Sequence, residues 1–244
     1  MNPIIQSLFN RKSTRVYTDR QLEEKEKDAI INSALQAPTA GNQLLYTILE
    51  IEDPTIKEEL ATLCDNQAFI AKAPYVLVFL ADCRRWLDSY KEAGAECRNP
   101  GYGDLLLAFS DANIAAQNTV VAAESLGIGS CYIGDIYEQQ EKLVELLNLD
   151  PFVVPAAMLV YGEPTETQKK RQKPKRVDKE FIVQKNTYKP LSSDKLRQMF
   201  TQWKGEESDF DEYMKAFCKR KYMSDFAKEM SRSLSKYLSH FDNN

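Results

Sequence analysis

Histidine is nearly absent: His240, close to the end, is the only one in 244 residues. That excludes a Ser-His-Asp or Cys-His triad and most histidine-based metal sites. No partner constellation surrounds His240 itself, so it reads as a surface residue. The five cysteines, Cys64, Cys83, Cys97, Cys131 and Cys218, are odd in number and show no C-x-x-C spacing. They read as free thiols in a reducing compartment, not as a disulfide framework. No stretch has the ~20 consecutive apolar residues of a membrane span. The opening MNPIIQSLFNRKS lacks the charged start and apolar length of a signal peptide, so the expected location is the cytoplasm. A net charge of -4 and a pI near 5.3 argue against nucleic acid or anionic membrane as the main partner. The glycines of GIGSCYIG, Gly127 to Gly134, do not make a dinucleotide fingerprint, because the third comes too late and a helix, not a strand, precedes them. Nor is this a P-loop, since Asp135 stands where the lysine would be. A mechanism without side-chain nucleophiles or imidazole bases points toward a bound cofactor that carries the chemistry.

What is present reads as one α/β or α+β domain. Gln21 to Gln36 has helical periodicity. Ala37-Pro-Thr-Ala-Gly-Asn42 breaks it, and Tyr46 to Ile51 is a strand. Asp53-Pro54 opens a further helix with an N-cap and a first-turn proline. Tyr75 to Ala81 is continuously apolar and rich in strand formers, as a central strand covered on both faces would be. Arg84 to Ala95 is helical. Asp104 to Leu126 is apolar nearly all round, which predicts burial in a core or a subunit interface. A short strand at Cys131 to Ile133, a helix from Ile136 to Leu147 and a strand from Val153 to Tyr161 follow. Glu166 to Lys179 is polar, basic and loop-like. Beyond Pro190, helices are expected at Ser192 to Trp203, Phe210 to Cys218 and Met223 to Phe241, polar enough to lie on the surface of the body or of a partner.

Three clusters can carry chemistry. Arg11, Lys12, Ser13 and Arg15 offer planar forks, a point charge and a hydroxyl, a good set for a phosphate monoester. Taken alone, a solvated basic segment is the commoner reading. The same holds for the basic run Lys169, Lys170, Arg171, Lys173, Lys175 and Arg176, although two such clusters can share one phosphate if the fold joins them. The loop Pro38-Thr39-Ala40-Gly41-Asn42-Gln43 is small and amide-rich, suited to close approach by a planar ligand and equally to an ordinary turn.

Taken in order, the segments RKSTRVYTD, APTAGNQLLYTILEIED, NQAFIAKAPYVLVFLADCRRW, LGIGSCYIGDI, VPAAMLVYGEP and RQKPKRVDKEFIVQKNTY resemble the flavin-dependent nitroreductases. Within them they resemble the branch of NAD(P)H:flavin oxidoreductases and oxygen-insensitive nitroreductases. The resemblance spans Asn10 to Tyr188, and SDFAKEMSRSLSKYL in the tail shares it. It implies an α+β fold with a central mixed sheet flanked by helices. Residues 1–190 would be the FMN-binding domain and 191–244 a C-terminal helical extension, assembled as an intertwined homodimer with FMN at the subunit interface. It implies that Arg11, Lys12, Ser13, Thr14 and Arg15 bind the FMN phosphate, with Lys173 and Lys175 closing it from the other side. Thr39, Ala40, Asn42 and Gln43 would lie near the flavin, Gln67 would contact the ring or ribityl, and Tyr132, Ile133, Gly134 and Asp135 would line the ring. Lys12 or a main-chain N–H would face N1 and O2 of the ring. The implied activity is hydride transfer from NAD(P)H through FMN to nitroaromatic, quinone or flavin acceptors, in ping-pong order and with no catalytic side chain or metal required. The alternative is a flavin-storage or sensing protein without turnover. Two positions depart from the family pattern. Lys175 stands where arginine is frequent and loses the fork, and Asp135 puts an anion where a second glycine is frequent.

Overall fold

The apolar runs Tyr75–Asp82 and Val153–Gly162 are buried along their whole length. They pair with each other at the centre of a four-stranded sheet. The computed structural model describes residues 1–242, which divide into two units: Met1–Arg171 with the chain from Glu229, and Gln172–Lys228. In chain order the first unit carries α1 (Pro3–Asn10), α2 (Glu24–Leu35), β1 (Tyr46–Glu50), α3 (Pro54–Leu63), α4 (Ala68–Ala71) and β2 (Tyr75–Asp82). It continues with α5 (Arg84–Glu92), α6 (Tyr102–Ser125), β3 (Gly129–Ile133), α7 (Gln140–Leu147), β4 (Val153–Gly162) and α8 (Glu166–Lys170). The second unit carries α9 (Ser193–Lys204) and α10 (Phe210–Lys221), and α11 (Asp225–Leu238) begins in it.

The strand order is β1-β2-β4-β3. All three pairings are antiparallel, where a mixed sheet was expected. The α+β class stands; alternation of strands and helices gives element order but not strand direction, which depends on the end of the sheet at which each connection returns. Along β2, Leu77, Phe79 and Ala81 enter one core with α2 and α6, while Val76, Val78 and Leu80 enter a second core with α3, α4 and α7. That is the two-residue alternation of a strand, with apolar residues on both faces because both are covered.

Several elements differ from the sequence reading in informative ways. Glu166–Lys170 is a short helix, not loop: Thr165 caps it by accepting from the Gln168 N–H. The helix read from Ile136 starts at Gln140, after a 3₁₀ turn at Gly134–Tyr137. α6 is apolar nearly all round yet not buried all round: Ala108, Ala112, Ala115 and Ala116 are sealed in the core, while Leu106 and Ile114 are exposed at 69% and 40%. The tail is not wholly superficial either, since Tyr237 and Phe241 are buried in the core against α6 and the sheet. Only one stripe of α11 is apolar, and that stripe faces inward. Within the second unit, Phe200 is buried beneath Phe210 and Tyr213, and Trp203 meets Phe217 edge-on.

β3 is an edge strand, and the basic segment near the N-terminus lies along it. Thr14 N–H donates to the Ser130 carbonyl at 2.9 Å, and Thr18 N–H to that of Glu163 at 2.9 Å. What lets this segment so close is a pair of facing glycines, Gly129 and Gly162, opposite each other in the β3–β4 register. A methyl group on Gly129 would overlap the Thr14 side chain. One on Gly162 would fall 2.5 Å from Tyr17 Cδ1 and 2.9 Å from Pro74 Cδ. Thr14 and Tyr17 thus fill the space that two absent side chains leave. Gly162→Ala is expected to cost about 1–3 kcal/mol by overpacking, read as a lower midpoint in urea unfolding with an unchanged slope. A midpoint equal to the wild type would mean that Tyr17 does not occupy this gap.

Candidate flavin site

Arg11 to Arg15 crosses the free edge of β3 and turns from one face of the sheet to the other. Arg11, at the C-cap of α1, lies near the Tyr132 hydroxyl. Its Nε is buried with no hydrogen-bond partner among the described residues. Ser130 Oγ, on the same strand, is likewise buried and unpartnered. Buried donors without acceptors are costly, so two on one strand edge mark a place where an acceptor-rich ligand would be bound. Arg15 is exposed and sits over the Phe69 ring at 5.7 Å, a cation–π contact that leaves its N–H groups at the rim. Ser13 turns its carbonyl to Gln168 Nε2 at 3.1 Å. Lys12 Nζ donates to the Lys169 carbonyl at 2.5 Å, so in this structure its charge caps the end of α8.

At the other end of β3, Gln67 and Asp135 meet. Gln67 Nε2 donates to Asp135 Oδ2 at 2.5 Å and to the Cys64 carbonyl at 2.8 Å. Two left-handed residues, Asp65 at φ 60° and Asn66 at φ 54°, deliver Gln67 to that position, a conformation Asp and Asn tolerate better than most. Ile133 is buried in the second core, and Gly134 is exposed at the start of the 3₁₀ turn. Tyr132 points to the opposite face, where its hydroxyl donates to Gln117 Oε1 at 3.3 Å. Burial pushes its pKa up to about 12, so it stays a donor. The structure therefore brings Arg11 to Arg15, Gln67 and Tyr132 to Asp135 together along one sheet edge.

The Thr39 to Gln43 loop lies elsewhere. It precedes β1, the opposite edge of the sheet, three strand spacings or about 14 Å from β3. Its organiser is Asp111 of α6, 3% exposed. Thr39 Oγ1 donates to Asp111 Oδ2, the Ala40 N–H donates to Oδ1 at 3.0 Å, and the Leu45 N–H to Oδ2 at 3.2 Å. The Leu44 N–H closes back on Thr39 Oγ1 at 2.8 Å. Gly41, Asn42 and Leu44 take left-handed backbone at φ 56°, 57° and 48°, held by this set of bonds. Trp86 Nε1 donates to the Gln43 carbonyl at 2.8 Å, and Gln43 Nε2 reaches the Tyr90 hydroxyl at 3.4 Å. Lys173 and Lys175 belong to the second unit, the first half-buried and the second exposed.

Two residues that sequence reasoning passed over matter here. Asp111 was hidden in a helix read for its apolar residues; an acid in the middle of such a helix, away from the Asp104 and Glu124 near its ends, was the available signal. Glu138, 6% exposed, has its pKa pushed up to about 7 by burial, then by Asp135, Asp65 and Glu229 around it. No sequence signal marks it, because the three acids come from separate elements.

Residues 8–163 match the family described as the nitroreductase family. The chain is 33% identical to a protein of Bacillus subtilis named FMN reductase (NADPH), over 94% of this chain and 98% of that one. It is 33% identical to an oxygen-insensitive NADPH nitroreductase of Salmonella typhimurium, over 78% and 77%. Among solved structures, an NfrA1 nitroreductase from Bacillus subtilis superposes with a TM-score of 0.77 at 30% identity, covering 93% of this chain and 98% of that one.

Two outcomes follow from this geometry. Asp111→Ala orphans the buried Leu45 N–H, the half-buried Ala40 N–H and the Thr39 hydroxyl, so it is expected to cost about 2 kcal/mol and to speed hydrogen exchange at Ala40 and Leu45. Unchanged protection at those amides would show that the loop does not need the carboxylate. For Glu138 the folded-state pKa of about 7 lies above its ordinary 4.5, so folding binds a proton between these values. Its contribution favours the folded state at low pH and is lost as pH rises through 7. Thermal midpoints from pH 5 to 8 are expected to fall more steeply in the wild type than in Glu138→Gln; parallel profiles would refute this.

Proposed function

The chain belongs to the nitroreductase family, and from that premise we propose that it is an FMN-dependent NAD(P)H oxidoreductase that reduces nitroaromatic, quinone or flavin acceptors. The observation that carries this reading is the β3 edge, where the unpartnered Arg11 Nε and Ser130 Oγ lie with Arg15 and the acceptor oxygen of Gln67. These groups fit a ligand with a phosphate at one end and a polar ring at the other. Arg11, Ser13, Thr14 and Arg15 would hold the phosphate, arginine by its planar fork. Gln67 and the backbone from Tyr132 to Asp135 would hold the ring. Bound FMN would supply hydride acceptance and release. The chain's own part is position and electrostatics, consistent with its single histidine lying far along the chain at His240. The Tyr132 hydroxyl stays protonated and can orient a neighbouring acceptor.

A homodimer belongs to the same proposal. Thr39 to Gln43 and the β3 edge lie on opposite edges of one sheet, farther apart than one isoalloxazine ring bridges. A two-fold axis that sets the loop of one copy beside the β3 edge of its partner would complete the site. The exposed Ile4 of α1 and Leu106 and Ile114 of α6 are the apolar surface such an interface would cover. In this reading residues 1–190 form the FMN-binding domain and 191–244 its helical extension. A cytoplasmic location accords with five free cysteines and with the absence, among the described residues, of any helix long and apolar enough to cross a membrane.

The test is a visible absorption spectrum of the purified protein, incubated with FMN and then treated anaerobically with NADPH or NADH. Oxidised-flavin bands that bleach with a nucleotide are expected, and Arg11→Ala should weaken FMN binding about tenfold. Bands that persist with both nucleotides would leave a flavin-binding protein without turnover. A protein that takes up no FMN would end the proposal.

A further inference from the structure

Gln67 of the β3-edge site has an amide whose orientation is fixed by its partners. Its amide nitrogen has two hydrogens, and both have acceptors: the Cys64 carbonyl at 2.8 Å and Asp135 Oδ2 at 2.5 Å. A flipped amide would set its carbonyl oxygen against those same two acceptors, so only one orientation is allowed. The backbone supports it, because the Gln67 N–H is held by the Ala61 carbonyl at 2.9 Å and Gln67 opens α4. What remains for a ligand is Oε1, an acceptor only.

Asp135 is in turn supported from behind. Its backbone carbonyl accepts the Glu138 N–H at 3.0 Å, and the Glu138 carboxyl, 6% exposed, contacts the Asp135 side chain. With glycine at position 135, Gln67 would have the Cys64 bond alone to oppose a turn of its amide, and one N–H would be left without an acceptor.

We propose that Asp135 is a positioning residue that locks the Gln67 amide so that it presents only its oxygen, selecting a flavin through the imide N–H of the ring. This rests on the FMN reading above. An oxidised isoalloxazine has several ring acceptors but a single ring N–H, that of the imide, so an acceptor-only side chain has one ring partner available. The side-chain anion at position 135 acts through Gln67 and does not touch the flavin.

The test is a cycle between protein and ligand. Apoprotein is titrated with FMN and with FMN methylated at the imide nitrogen, and quenching of flavin fluorescence gives both dissociation constants. Methylation adds bulk in every variant, so the ratio of the two constants compared between proteins isolates the hydrogen bond. The wild-type ratio is expected to exceed that of Asp135→Asn by about tenfold, because asparagine offers the Gln67 amide an N–H as readily as an oxygen and lets it turn. Gln67→Met, which has no acceptor oxygen, should show the same reduced ratio. If Asp135→Asn weakens both flavins by one factor and keeps the wild-type ratio, Asp135 is only structural and the inference is overturned while the FMN reading stands. A wild-type ratio in Gln67→Met would overturn it too, since the imide would then face another group. Asp135→Ala carries the same comparison should the asparagine variant not fold. A wild type that binds neither flavin would remove the reading on which the inference rests.

Discussion

Two missing side chains decide where the cations of this protein stand. Gly129 and Gly162 face each other across the β3–β4 pair, and the gap they leave receives Thr14 and Tyr17. An edge strand ordinarily exposes unpaired N–H and carbonyl groups. Here the N-terminal segment takes up part of that edge through the Thr14 bond to Ser130, while Thr18 bonds the Glu163 carbonyl just past β4. Once Thr14 and Tyr17 are seated, Arg11 is directed to the α6 face and Arg15 to the Phe69 face. The phosphate-binding potential of the segment therefore comes from sheet packing as much as from charge.

The opposite edge is governed by a different device. A carboxylate buried in α6 receives donors from three residues of the loop before β1. Charge-assisted hydrogen bonds of this kind are stronger than neutral ones and need no counter-cation when several donors converge. They hold Gly41, Asn42 and Leu44 in left-handed backbone, which glycine and asparagine accept and Leu44 does not favour. Since β1 and β3 are the two edges of one sheet, the amide loop and the cationic segment are set on opposite edges within a single chain. The sheet that orders both is also what separates them, and this is why the functional reading leads to two copies.

Acidic groups gather at the end of β3. Asp135, Glu138, Asp65 and Glu229 approach one another at the end of β3. Burial disfavours charge on Glu138 first, and the neighbouring carboxylates add to it. The consequence for Gln67 is one of polarity: a carboxylate accepts and cannot donate, so the amide beside it has no choice of orientation. The Asp135 carboxylate thereby fixes the orientation of the Gln67 amide beside it.

The residues that make the elements were legible along the chain. The continuous apolar run at Tyr75 to Ala81, the Asp53-Pro54 cap and the polar–apolar period of α2 each encode their own local structure, because strand alternation, capping and helical periodicity are short-range. The cationic segment, the amide loop and Gln67 stood out for the same reason, as residue types with recognisable chemistry. Strand direction, the pairing of Gly129 with Gly162, the hold of Asp111 on Thr39 and the meeting of Gln67 with Asp135 were not legible. Each joins residues between 33 and 72 positions apart, and such contacts depend on how connections return to the sheet. Composition and local pattern determined which chemistry was on hand. Only the tertiary structure decided which groups share an edge, which are left without a partner and which way an amide faces, since burial and hydrogen-bond geometry exist only once the chain has closed on itself.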